Sequence, residues 1–98
     1  MVDKDKVQGN YPKTIDEAVR LLQGLVPEEE QARIAYMGED ELPTLDFGLG
    51  QWVRNNFGLW NANQDLLADT GEHHPDDASG VIIRVFWLRL RDELPKVH

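Results

Sequence analysis

The stretch "PDDASGVIIRVFWLRLRDEL", residues 75–94, constrains the fold more than any other part of the chain. Its middle, "VIIRVFWLRL", is β-branched and aromatic enough for a strand. Its length, and its opening with a proline and two aspartates, favour a mostly buried helix that Pro95 closes. A strand here would also have no partner elsewhere in the sequence, which counts against an α+β arrangement. The expected fold is therefore all-α: a compact single domain of about five helices over residues 11–98, after a tail at residues 1–10 that lacks periodicity. With 98 residues, one such domain buries a single core worth about 5–10 kcal/mol of net stability.

Four further helices are marked by caps and apolar spacing. In "YPKTIDEAVRLLQGL", Thr14 is placed to cap and Glu17 to answer it in a capping box, while Ile15, Ala18, Val19 and Leu22 share one face. "VPEEEQARIAYMG" predicts a short helix with Pro27 at its first position, three glutamates in its first turn and Gly38 as its stop. "NANQDLLADTG" predicts another, with Asn61 as N-cap, Leu66 and Leu67 in the core and Gly71 at the end.

Between them lies "FGLGQWVRNNFGLW", residues 47–60. Leu45, Leu49, Trp52, Val53 and Phe57 fall on one face at helical spacing, so a glycine-containing helix is expected from Leu45 to about Phe57. Gly48 and Gly50 each cost about 1 kcal/mol there relative to alanine, which suggests that a neighbouring backbone comes close. Asn56 falls amid the apolar face. Either the helix has ended by then, with Gly58 as its stop, or Asn56 is buried and hydrogen-bonded; the first is the expectation taken. Trp52, Trp60, Trp87, Phe86 and Leu49 are the expected core anchors. Arg89 also falls inside an apolar arc, between Val85 and Ile82, and needs Asp76, Asp77 or a carboxylate of another helix unless its head snorkels to water.

A second polar stretch, "HHPDDASG", places His73, His74, Asp76 and Asp77 within five residues. These are donors suited to a metal, but adjacent histidines point apart on a regular backbone and no third dispersed ligand is evident, so no metal and no cofactor are expected. The structural alternative is that His74 caps the last helix, Pro75 starts it, and the aspartates satisfy its free amides. A third reading joins this stretch to Arg54, Asn55 and Asn56 as one polar cluster. There is no phosphate-cradling glycine loop, dinucleotide fingerprint or serine elbow, and an enzyme is not expected.

Charge narrows the choice of partner. Residues 1–46 hold eleven acids against five bases, and residues 47–98 seven against five. A net charge of −8 argues against binding nucleic acid, whose affinity comes from displaced counterions. The acid-rich half is either a solvated surface or a face that steers a basic partner. With no cysteine, no signal peptide and no membrane-spanning apolar run, the chain is expected to be soluble and cytoplasmic.

Taken together, "FGLGQWVRNNFGLW" and "HPDDASGVI" resemble the marks of a small bacterial family classed only as a domain of unknown function. The resemblance covers residues 11–92. It implies that Arg54, Asn55, Gly58, Trp60, His74, Asp76 and Asp77 belong to one feature, and it brings no activity with it. Ala78 stands where the family pattern implies a bulkier apolar residue. Two functions remain. The first is an acidic, non-catalytic module that binds another protein, as a regulator or inhibitor, and is supported by the seven acids against one arginine from Glu28 to Asp46. The second is a small-molecule or metal site, with possible catalysis, built from Arg54, Asn55, His74, Asp76 and Asp77. No feature of the sequence sets an oligomeric state.

The cap assignment at the first helix is directly testable. Thr14→Ala should lower stability by about 0.5–2 kcal/mol in urea melts without changing the denaturant slope.

Overall fold

In a computed structural model, which describes residues 11–94, the chain forms five α-helices. They are α1 (Ile15–Leu25), α2 (Glu28–Ala35), α3 (Gln51–Asn56), α4 (Gln64–Thr70) and α5 (Pro75–Asp92). A 3₁₀ helix, Glu39–Leu45, and a π-helical turn, Asp46–Gly50, lead into α3. No strand occurs among the described residues, and the apolar stretch is helix throughout. The tail expected at residues 1–10 and the closing Pro95 lie outside the described residues.

Helix α5 is the axis of the molecule. Ala78, Ser79, Ile82, Ile83, Phe86, Trp87 and Leu90 are buried along it, and it touches every other helical segment. Burying each of the large side chains contributes about 1.5–3 kcal/mol. Trp87 donates from its indole Nε1 to the carbonyl of Met37 (2.9 Å), so its one polar atom is satisfied inside the core. The Arg91 guanidinium lies 5.1 Å from the centre of the same ring. Arg89 finds its carboxylate on another helix: Nη2 is 3.0 Å from Asp16 Oδ1 of α1.

The first helix begins as expected, with one displacement. Thr14 Oγ1 accepts the Glu17 amide (3.1 Å), but the Glu17 carboxylate accepts from the amide of Lys13 (2.7 Å) instead of that of Thr14. The Ile15 amide donates to Asp69 of α4 (2.7 Å), so a second helix helps to close this end. Ala18, Val19 and Leu22 are fully buried. In α2, Pro27 is the capping residue and not the first helical one. Gly38 does not stop α2, which ends at Ala35; it opens the 3₁₀ helix, its amide donating to Glu41 Oε2 (2.6 Å).

The glycine-containing segment differs most from expectation. Instead of one α-helix over residues 45–57, the backbone changes winding twice. Pro43, which has no amide to donate, sits within the 3₁₀ part, and the π turn follows before α3 begins. Val53 and Phe57 still reach the core, and Leu49 and Trp52 pack partly buried against it. Trp52 meets Phe57 edge to face at 5.4 Å. Trp60 is not a core residue: it lies past the turn at Gly58 and is 54% exposed.

The end of α3 and the start of α4 are fastened by Asn63, not by Asn61. Gly58 takes the left-handed conformation (φ 71°), and the Leu59 amide reaches back to the Arg54 carbonyl (3.1 Å), a Schellman closure. A Cβ at Gly58 would stand 3.0 Å from the Tyr11 ring, so the position excludes other residues both by space and by conformation. Asn63, buried, accepts the Leu66 amide on Oδ1 (3.3 Å) and donates from Nδ2 to the carbonyls of Pro12 (2.6 Å) and Phe57 (2.9 Å). One amide thereby ties the chain ahead of α1 to both flanking helices.

This geometry makes Asn63 selective between substitutions that are usually equivalent at a cap. Asn63→Ala should cost about 2–4 kcal/mol in chemical denaturation, from the lost cap and two lost buried donors. Asn63→Asp keeps the acceptor for the Leu66 amide yet faces two carbonyls with oxygen, and should destabilise at least as much as alanine.

Candidate functional site

Arg54 is the buried charged side chain among the described residues. It projects inward from α3 and is only 7% exposed. Its Nη1 donates to Asp46 Oδ1 (2.8 Å) in the π turn and to Ser79 Oγ (2.9 Å) in α5, and Nη2 reaches the Asp46 carbonyl at 3.4 Å. Nε lies 3.2 Å from Asp76 Oδ1 but out of line for a hydrogen bond, so that contact is electrostatic and the buried Nε–H has no acceptor. Ser79 Oγ in turn donates to the Asp76 carbonyl (3.0 Å). Gly50 makes room for this arrangement: a Cβ there would stand 3.1 Å from Asp46 Oδ1 and 3.2 Å from Arg54 Nη1. The close approach foreseen for this glycine is thus by side chains, not backbone, and a Cβ added at Gly48 would meet no neighbouring group within 4 Å.

The start of α5 is built as a cap. His74 Nδ1 accepts the Asp76 amide (3.1 Å), which requires that nitrogen to be unprotonated, and Pro75 takes the first helical position. Asp76 thus gives its amide to His74 and its carboxylate to Arg54. Asp77 is exposed beside a shallow depression that Asp46, Glu72 and Arg84 also line. His73 is exposed.

The "RNN" and "HHPDD" stretches therefore meet, but through Arg54 and Asp76 alone. Asn55 turns away and accepts from the Trp60 indole on Oδ1 (2.9 Å); Trp60 in turn lies edge-on to the His74 ring at 6.4 Å. Asn56 ends α3 half-buried, its Nδ2 donating to the Trp52 carbonyl (2.9 Å), and Gly58 is the stop beyond it. The sequence reading missed Asp46 and Ser79 as partners of Arg54. Their spacing held a trace of the answer, since Ser79 follows Asp76 by three residues on one helix and so shares its face. Among the described residues no group of three or more His, Cys, Asp or Glu is arranged to hold a metal ion.

Asn55 and Asn56 instead line a groove of about 730 Å³ on another face. Val26 and Pro27 of the α1–α2 link and Ile34 of α2 form one wall, while the π turn and α3 form the other with Phe47, Leu49 and Trp52. The lining is mostly apolar. Phe47 stands on its rim, 87% exposed, next to the unobstructed Gly48. The charged residues in the lining are Glu30 and Arg33, which pair with each other at 2.8 Å. Hydrogen bonds from Arg33 hold the Glu30 carboxyl below the ordinary carboxylate value.

A family model described as "Domain of unknown function (DUF6794)" matches residues 11–90. No curated protein and no solved structure matches the chain.

The burial around Arg54 is lopsided, and this predicts an order of effects. The guanidinium is buried, but Asp46 and Asp76 keep 47% and 57% of their side chains in water. Arg54→Met leaves two hydrated carboxylates and should cost about 1–2 kcal/mol. Replacing both Asp46 and Asp76 with alanine strands a buried cation and should cost about 3–5 kcal/mol. Thermal and urea melts of the two variants give the order, and the reverse order would mean that the carboxylates, not the guanidinium, bear the desolvation.

Proposed function

Since the chain belongs to the DUF6794 family, whose description names no activity, we propose from the geometry that it is a non-catalytic module that binds another protein. The observation that carries this reading is Phe47. A phenylalanine ring 87% exposed at the lip of an apolar groove costs solubility and contributes nothing to the core, which suits a surface that another chain covers. The backbone supports the same reading. Phe47 sits in a π-helical turn, a winding found disproportionately at functional sites, beside a glycine with no packing reason of its own.

The competing small-molecule reading at Arg54 is the weaker one. The guanidinium is directed into the protein and engaged by Asp46 and Ser79, and a small molecule would have to displace these partners to reach it. The arrangement suits a clamp between the π turn and α5. No helix among the described residues is long and apolar enough to cross a membrane. We place the module inside the cell, where a chain without cysteine is at home.

A photo-crosslinking residue, benzoylphenylalanine, in place of Phe47 in the full chain tests this in cells. A discrete protein adduct should form on irradiation, and the same label at Leu88, an exposed apolar residue of α5, should not give it. No adduct from position 47, or the same adducts from both positions, would overturn the reading.

A further inference from the structure

Asp76 serves both the cap of α5 and the buried arginine, yet its carboxylate is fully committed to neither. Oδ1 lies 3.2 Å from Arg54 Nε, where the geometry leaves the buried Nε–H without an acceptor, and Oδ2 lies 3.6 Å from His74 Nδ1, beyond hydrogen-bond distance. While the ring is neutral, Nδ1 is occupied by the Asp76 amide (3.1 Å). One carboxylate therefore stands between two groups able to donate to it: the Arg54 Nε–H at all times, and His74 Nδ1 only when it carries a proton.

Protonation of His74 reverses the role of Nδ1. An imidazolium donates from both nitrogens and accepts at neither, so the Asp76 amide loses its cap and a cation stands at the positive end of α5. The acceptor at hand is Asp76 Oδ2. We propose that His74 and Asp76 form a proton-operated switch that moves the Asp76 carboxylate from Arg54 to the imidazolium. With His74 neutral, the amide is capped and the carboxylate offsets the buried guanidinium between α3 and α5. With His74 protonated, the carboxylate turns to Nδ1–H. The hold of Arg54 on α5 then rests on the Ser79 hydroxyl, while its tie to the π turn through Asp46 is kept. Both His74 and Asp76 are more than half in water, so neither position of the carboxylate carries a large desolvation cost and one proton suffices to choose between them. Other titratable groups border this pair. Asp77, on the same helix, is exposed beside Glu72 and Arg84, and Arg84 is paired with Glu39 of the 3₁₀ helix. His73 precedes the ring, exposed. Arg54 of α3 faces it across Asp76 and is bonded to Asp46 of the π turn. Trp60, edge-on to the ring at 6.4 Å, brings no charge, and its indole N–H is taken by Asn55. The switch is independent of the protein-binding reading above.

NMR of the isotope-labelled full chain between about pH 8 and 5, the range in which imidazoles titrate, reads each step. At the upper end the ring nitrogen shifts of His74 should be those of the tautomer protonated on Nε2. On acidification the Asp76 amide should lose about fivefold in protection from solvent exchange, corrected for the intrinsic effect of pH, which is the worth of one capping bond. The Nε–H resonance of Arg54 should move with the same midpoint as the His74 ring. His74→Asn keeps a capping acceptor but takes up no proton, so both responses should vanish in it. Asp76→Asn should retain the response of the amide and lose that of Arg54, and His73→Asn should leave both as they are. A neutral ring protonated on Nδ1, an Asp76 amide indifferent to the titration of His74, or an Arg54 response that survives in His74→Asn or disappears in His73→Asn would overturn the switch. An amide that responds while Arg54 Nε–H stays still would show a titrating cap without transfer of the carboxylate, and overturns it as well.

Discussion

Everything in this fold depends on one long helix having something to lie against along the whole of its apolar face. The other helices run from six to eleven residues, lengths at which an isolated helix in water is marginal at best. Their persistence therefore comes from contact with α5, which at eighteen residues spans about 27 Å and meets each of them. The reverse also holds. Isoleucines, phenylalanine and tryptophan on α5 would be exposed without the short helices around it. Each part supplies the apolar surface the other buries, and the hydrogen bond from Trp87 to the Met37 carbonyl and the ion pair from Arg89 to Asp16 help to set the angular position at which the parts fit.

Arg54 links this scaffold to the exposed face. Asp46 is held inward by the guanidinium, and its neighbour Phe47 is left outward at the groove. Because Arg54 also grips Ser79 and Asp76 at the start of α5, the π turn is fixed to the central helix through a buried charge and not through apolar packing alone. A charge so placed adds little net stability compared with an apolar group of the same size, but it is directional. It specifies which winding of the backbone precedes α3, and hence where the rim of the groove lies.

The legible parts of the sequence were those in which local chemistry and tertiary demand agree. Thr14, Gly71, His74 and Pro75 do at the helix ends what their side chains or backbone freedom favour anywhere, and the face of Ala18, Val19 and Leu22 is the buried one. Misreadings arose where two local signals were equivalent and a distant group chose between them. Asn61 and Asn63 are the same residue two positions apart, and the carbonyls of Pro12 and Phe57 select the second. The spacing from Leu45 to about Phe57 predicts a single helix, but Pro43 before it and the pull of Arg54 on Asp46 within it make the backbone pass from a 3₁₀ through a π to an α winding. Trp60 was counted with the core because tryptophan usually belongs there; the turn at Gly58 carries it to the surface, where its indole bonds Asn55. For the polar cluster, the meeting of Arg54 with Asp76 was open to reasoning from helix ends, while the departure of Asn55 and Asn56 to another face was hidden by the change of winding before α3.

The position of α5 in the order of the chain governs how the molecule can come into being. A polypeptide emerges from its amino end, so α1 through α4 are made before the helix against which they all pack. During that interval Val19, Leu22, Ile34, Phe57 and Leu66 lack the surface of α5, and the ties that α5 makes from Trp87 to Met37 and from Arg89 to Asp16 join residues at least fifty positions apart. Cooperative structure must therefore wait for the last helix and then form across the whole domain at once, leaving a long window in which the nascent chain shows apolar side chains to its surroundings. A surplus of acidic residues concentrated in the part made first keeps such chains apart by mutual repulsion until α5 arrives.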